Sequence, residues 1–220
     1  MEETLNKTRA HSRFVLYILG FLFALHATLP VYISSTFLSS LIGEKLVGLV
    51  YAVAALITII LFICIARVLE RFGNYRTIMA MLTIELISLI GLASTKVVWY
   101  VVPLFIASFI VVAIINFNMD LFLENLSSES MVGKVRGYFL TSGNIAWIVA
   151  PLITSFILTD SQYWIVYLAA GIIVLPIIAL INTNLSDFQD PKYKDYPFRQ
   201  TIKDIRKNKN IFSSFMISFI

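Results

Sequence analysis

Residues 46–94 read LVGLVYAVAALITIILFICIARVLERFGNYRTIMAMLTIELISLIGLAS. Two apolar runs, 46–66 and 77–94, flank a short polar stretch in which Arg67, Glu70, Arg71 and Arg76 surround Gly73. Each run is close to the ~20 residues that an α-helix needs to cross the hydrocarbon of a bilayer. Lipid offers no partner to a free backbone amide, so runs of this kind cross as helices. The charged stretch cannot enter lipid cheaply and must stay at an interface, and Gly73 supplies the conformational freedom of a tight turn. Together these residues specify a hairpin of two membrane helices.

The same pattern extends in both directions. Apolar runs at 14–38, 97–119, 137–158 and 163–181 are also long enough to span, and another begins near Ile211 and continues to Ile220. The expected organisation is an N-terminal segment 1–13, a six-span all-α bundle over 14–181, a connector over 182–210 and the start of a truncated seventh span at 211–220. The run at 14–38 follows Lys7, Arg9 and Arg13, as a signal peptide would, but it is too long for a cleaved apolar core and more spans follow.

Composition excludes a soluble fold. The chain is 59% hydrophobic and 14% charged, against about 45–50% and about 25% in soluble proteins, so it lacks the polar residues to cover a core. The net charge of +4 comes from residues lying between the apolar runs, which does not make the continuous basic face that nucleic acid requires. Of the 17 Lys and Arg, only Lys45 and Lys96 fall on the side opposite the N-terminus. Positive residues mark the cytoplasmic side, so the N-terminus is expected in the cytoplasm and the protein in the plasma (inner) membrane. Trp99, Tyr100, Tyr163 and Trp164 stand near the outer ends of spans, where amphipathic rings favour the interface.

In the connector, Phe198, Ile202 and Ile205 recur at helical spacing between basic residues. This reads either as an amphipathic helix on the inner membrane face or as a solvated charged linker. The single cysteine, Cys64, makes no disulfide framework, and the histidines His11 and His26 make no zinc set. No Gly-x-Ser-x-Gly elbow or phosphate-binding loop is present. Nothing here calls for an enzyme, a metal or a cofactor.

The stretch Ala66, Glu70, Arg71, Gly73, Asn74 and Arg76 resembles the loop between the second and third helices of the major facilitator superfamily of secondary transporters. In that pattern a small residue precedes Asp-Arg-x-Gly and two basic positions. Glu70 here replaces the usual Asp and Asn74 replaces a basic residue. The resemblance implies that Glu70, Arg71, Gly73 and Arg76 belong to a gating latch, looser here or partly rebuilt, with most of its partner surface in a C-terminal six-helix half that this chain lacks. A second constellation is Gly137, Ala146, Ala150, Pro151, Thr154 and Ser155. It reads as a small-residue packing face and resembles the fifth-helix motif of proton-coupled antiporters, although only Gly137 and Pro151 keep the family residue. The resemblance implies two inverted three-helix repeats, of which the sequence itself gives no clear trace.

Polar residues at membrane depth are the candidates for a solute path. His26 in the first span either lines a cavity, where imidazole can carry a proton, or bonds a neighbouring helix. Asn116 and Asn118 at the inner end of the fourth span and Asn144 in the fifth are further cavity candidates. Asp120 is either a coupling acid or an interfacial charge paired with Arg136, and its depth favours the pair. Glu85 is the most deeply placed acid, and the resemblance implies that its span lies mainly at the periphery of the cavity; it either pairs with another helix or couples protons. The expected function is secondary transport of a small solute, with a proton or other cation as a candidate partner. A non-transporting membrane sensor, anchor or assembly partner is the alternative.

Overall fold

The computed structural model describes residues 2–127, 131–159, 162–188 and 190–191, with side chains from Phe14 onward. The expected amphipathic connector helix and seventh span lie outside the described residues. The chain forms α1 (Glu2–Ile42), α2 (Glu44–Phe72), α3 (Asn74–Ser94), α4 (Val98–Leu126), α5 (Val132–Ile157) and α6 (Tyr163–Asn184), each containing a stretch long and apolar enough to cross a membrane. All but α3 and α6 keep their helical bonding well beyond the hydropathic run at one end. The reason is that charge stops an apolar run but does not stop i→i−4 bonding.

Two turns are set by glycine. Gly43 joins α1 to α2 at φ 80°, and Gly73 joins α2 to α3 at φ 78° and ψ 163°, a region essentially reserved for glycine. The Gly73 N–H donates to the Leu69 carbonyl and its own carbonyl accepts from Thr77, so one residue ends a helix and begins the next.

The packing carries the internal symmetry that the sequence hides. α1 packs mainly on α5 and α6, α4 packs on α2 and α3, and α3 packs on α6. Exchanging α1–α3 for α4–α6 returns the same set of pairings. This is the contact pattern of two three-helix repeats. The α1–α5 seam is close because Gly20 has no side chain: a Cβ there would lie 2.7 Å from the Phe139 ring. The core runs along α1, α3, α4 and α6 through Leu16, Leu29, Leu82, Met119 and Tyr167. Outward faces are also apolar, with Leu56, Ile60, Ile148 and Phe156 exposed. Such a surface fits a lipid solvent rather than water.

Candidate functional site

A cavity of about 590 Å³ opens between α1, α4 and α5, within the size range of small-molecule pockets. The α4 wall presents Phe105, Ser108, Phe109, Val112, Ala113 and Asn116, a stripe at helical spacing. Gly20, Ala24, Ala27, Val31 and Ser34 make the α1 wall in the same way, and Phe139, Gly143, Asn144 and Trp147 make the α5 wall. Tyr51 reaches in from α2, its ring edge-on to Phe105 with centroids 5.0 Å apart. The lining is therefore mainly apolar and aromatic, with a few polar groups.

Among the described residues, Glu85 is the one charged residue that lines the cavity. It is 1% exposed, accepts a hydrogen bond from Ser108 Oγ at 3.0 Å, and its Oε1 lies 3.6 Å from His26 Nε2. His26 is fully buried behind the cavity wall. Its Nδ1 is 2.6 Å from the Phe23 carbonyl and its ring packs 5.0 Å from that of Phe23. Pro30 has no N–H, so the His26 carbonyl lacks its helical donor. The same device recurs in α5. Pro151 removes the donor for the Trp147 carbonyl, which receives the Tyr32 hydroxyl instead at 3.5 Å.

A family model described as the Major Facilitator Superfamily matches residues 16–220. The chain belongs to the major facilitator superfamily. It is thus an integral, multi-pass protein of a family of membrane transporters. No curated protein matches it.

The candidate residues of the sequence reading take different places within this superfamily fold. Asn116 and Asn144 line the cavity, but His26 and Asn118 do not. Asn118 is two residues beyond Asn116, so it projects from roughly the opposite side of α4. It is fully buried, and its carbonyl accepts from Asn74 Nδ2 at 3.1 Å. Glu85 is not peripheral, because α3 brings it through to the cavity. Asp120 lies 3.6 Å from Arg136 Nη2, with both side chains about half-exposed, and does not line the cavity. On α5, Ala146, Ala150 and Thr154 are buried at i, i+4, i+8, but Gly137 and Ser155 are exposed and a Cβ on Gly137 would meet nothing within 4 Å. The tight approach across the α1–α5 seam is at Gly20, whereas a Cβ on Gly143 would meet Ala24 at an ordinary 3.5 Å. Gly20 stands one helical turn from Ala24 on the face that meets α5, a register that only the partner helix makes readable.

At the superfamily loop, Glu70, Arg71 and Arg76 are exposed, and none of them makes an ion pair among the described residues. The Arg71 guanidinium stands 5.3 Å from the Phe72 ring centroid. Asn74 explains its departure from a basic residue, since it is fully buried beneath the turn. Its backbone N–H donates to Asp190 Oδ1 at 2.8 Å, and the Tyr75 hydroxyl donates to Asn182 Oδ1 at 2.6 Å. The loop is thereby held to the end of α6.

Proposed function

We propose that this chain forms the solute-binding part of a secondary transporter that works by alternating access, with its N-terminus in the cytoplasm of a plasma-membrane protein. The observation that carries this reading is the cavity between α1, α4 and α5, which has polar groups from Glu85, Ser108, Asn116 and Asn144 on an aromatic wall. Transporter sites sit at repeat interfaces near the membrane midplane, and the repeat symmetry of the packing supports that placement here. The bias of Lys and Arg toward one side supports the orientation. A second six-helix half of the superfamily fold would close the open side of the cavity. Glu70, Arg71, Gly73 and Arg76 would form the latch at the cytoplasmic mouth. A small solute crosses when the cavity opens to one side and then to the other.

The test requires no knowledge of the solute. Cys64 is the only cysteine, so a Cys64→Ser background carrying Asn144→Cys reports on the cavity alone. Membrane-impermeant maleimide is applied to right-side-out and inside-out vesicles. Alternating access requires labelling from both sides, in a ratio that shifts with an imposed ion gradient. Labelling from one side only, indifferent to every gradient, would overturn the reading in favour of a static sensor or anchor.

A further inference from the structure

The polar groups on the cavity wall divide into those the protein already engages and those it leaves free. Ser34 Oγ donates to the Pro30 carbonyl at 2.7 Å and lies 3.2 Å from the Tyr167 hydroxyl. Ser108 Oγ donates to Glu85 Oε1 at 3.0 Å. That carboxyl is itself closed to the cavity: Glu85 is 1% exposed, Oε1 faces His26 Nε2 at 3.6 Å, and Oε2 is buried. Thr28 Oγ1 is buried as well. Asn116 on α4 and Asn144 on α5 differ from all of these. Both are exposed and line the cavity, and neither side chain makes a hydrogen bond among the described residues. The hydroxyl of the half-buried Tyr51 is in the same condition.

A solute at this wall therefore meets two amides and a phenol, and no accessible charge among the described residues. An ionised group there would lose water without gaining a counter-charge. A polyhydroxylated solute fits no better, because three groups cannot match its many hydroxyls and each unmatched one is penalised. Each amide presents a donor beside an acceptor. Its complement is an edge carrying an acceptor beside a donor, as the adenine edge does toward asparagine. Edges of this kind belong to flat heteroaromatic rings, and the wall supplies ring faces to match. Trp147 is half-exposed, and the partly exposed Tyr51 and Phe109 stand edge-to-face with centroids 5.9 Å apart. Rings in such a group take a further ring in an offset or edge-on arrangement.

We propose that this wall recognises an uncharged, flat heteroaromatic group of the nucleobase type. Its ring lies against Trp147, Tyr51 and Phe109, and its donor–acceptor edges bond Asn116 and Asn144. The ring faces give affinity for any flat apolar body. The amides select among such bodies, because a ring that lacks the matching donors leaves their oxygens unpaired. The cavity volume of about 590 Å³ leaves room for fused rings. The proposal rests on the cavity reading above and names its solute class.

The experiment uses the purified protein in lipid nanodiscs and three fluorescent probes, read by anisotropy against empty discs. Lumichrome is an uncharged tricycle with two N–H groups on its pyrimidinedione ring. Its doubly N-methylated form keeps the plane and loses those donors, and proflavine is a planar cation. Lumichrome is expected to bind, with each of the other two at least about tenfold weaker. Asn116→Ala and Asn144→Ala should each weaken lumichrome at least about fivefold and the N-methylated form by a smaller factor. Asn118→Ala, off the cavity, should leave both affinities unchanged. Proflavine binding as tightly as lumichrome, or indifference to N-methylation, overturns the proposal without reference to any variant. So does lumichrome binding that neither cavity asparagine affects. Absence of lumichrome binding overturns the solute class alone if maleimide still reaches Asn144→Cys from both sides of the membrane. Maleimide labelling from one side only overturns the transporter reading, and amide-dependent lumichrome binding would then mark the ligand of a sensor.

Discussion

The Asn74 backbone N–H donates to Asp190 Oδ1 at 2.8 Å, so a carboxylate from beyond α6 caps the first residue of α3. The contact combines a hydrogen bond with the positive end of a helix dipole. A Cβ on the adjacent Gly73 would collide with the same carboxylate. Asp190→Ala is expected to lower stability by about 0.5–1 kcal/mol, the usual scale of a lost cap at a solvated site. Gly73→Ala is expected to cost more, about 1–3 kcal/mol from backbone strain, with the collision added. Because only the collision involves Asp190, the double variant should be less damaged than the two losses combined. Reversible unfolding in mixed detergent would read this. Strict additivity would mean that the carboxylate does not press on the turn.

Two glycines that look alike in the sequence are expected to behave in opposite ways. A Cβ on Gly20 would lie 2.7 Å from the Phe139 ring, whereas one on Gly137 would meet nothing within 4 Å. Gly20→Ala is therefore an overpacking change, costing about 1–3 kcal/mol, and Phe139→Leu should relieve part of it. Gly137→Ala adds helix propensity in open space and should stabilise by up to about 1 kcal/mol. Thermal melts of the two variants side by side decide the matter. Equal loss from both would place the packing seam where the sequence motif suggested, at Gly137.

The contrast shows what the sequence could reveal. Apolar length and charge position determine spans and their connections, and those depend only on local transfer energies. They located the hairpin around Gly73 and the six helices. A packing role depends on what stands opposite, and Gly20 acquires one only when α5 brings Phe139 against it. The same holds for His26 and Glu85, which meet only when the folded bundle brings their side chains within 3.6 Å. The superfamily loop was legible as a motif, but the burial of Asn74 was not, because the partner of its N–H is Asp190, 116 residues away.

His26 and Glu85 should be coupled in stability. Their 3.6 Å separation is an ion-pair distance, too long for a hydrogen bond, yet neither is open to water. Removing one partner leaves the other buried with less compensation, a loss of up to about 3–5 kcal/mol for a dry pair. His26→Leu and Glu85→Leu should each destabilise, and the double variant should lose less than their sum by at least about 0.5 kcal/mol. A double-mutant cycle on detergent unfolding measures this directly. Zero coupling would mean that the two groups are neighbours without an energetic link.

The three asparagines offer the sharpest separation of binding from structure. Asn116 and Asn144 line the cavity, while Asn118 is fully buried on another face of α4, against Asn74. A group that touches solute contributes a hydrogen bond to it, and truncation leaves the solute's polar atom unmatched, a penalty of about 1–3 kcal/mol. That corresponds to roughly 5- to 150-fold in affinity. Asn116→Ala and Asn144→Ala should therefore raise the half-saturating solute concentration with little change in melting temperature. Asn118→Ala should do the reverse. Among the described residues its side-chain nitrogen and oxygen both lack partners, so the cost comes from the space vacated beside Asn74 and not from a lost hydrogen bond. Saturation curves for a transported solute, taken with melts of the same preparations, would show the split. If Asn118→Ala weakened uptake as much as Asn144→Ala while all three melted alike, the assignment of the α4 cavity face would be wrong.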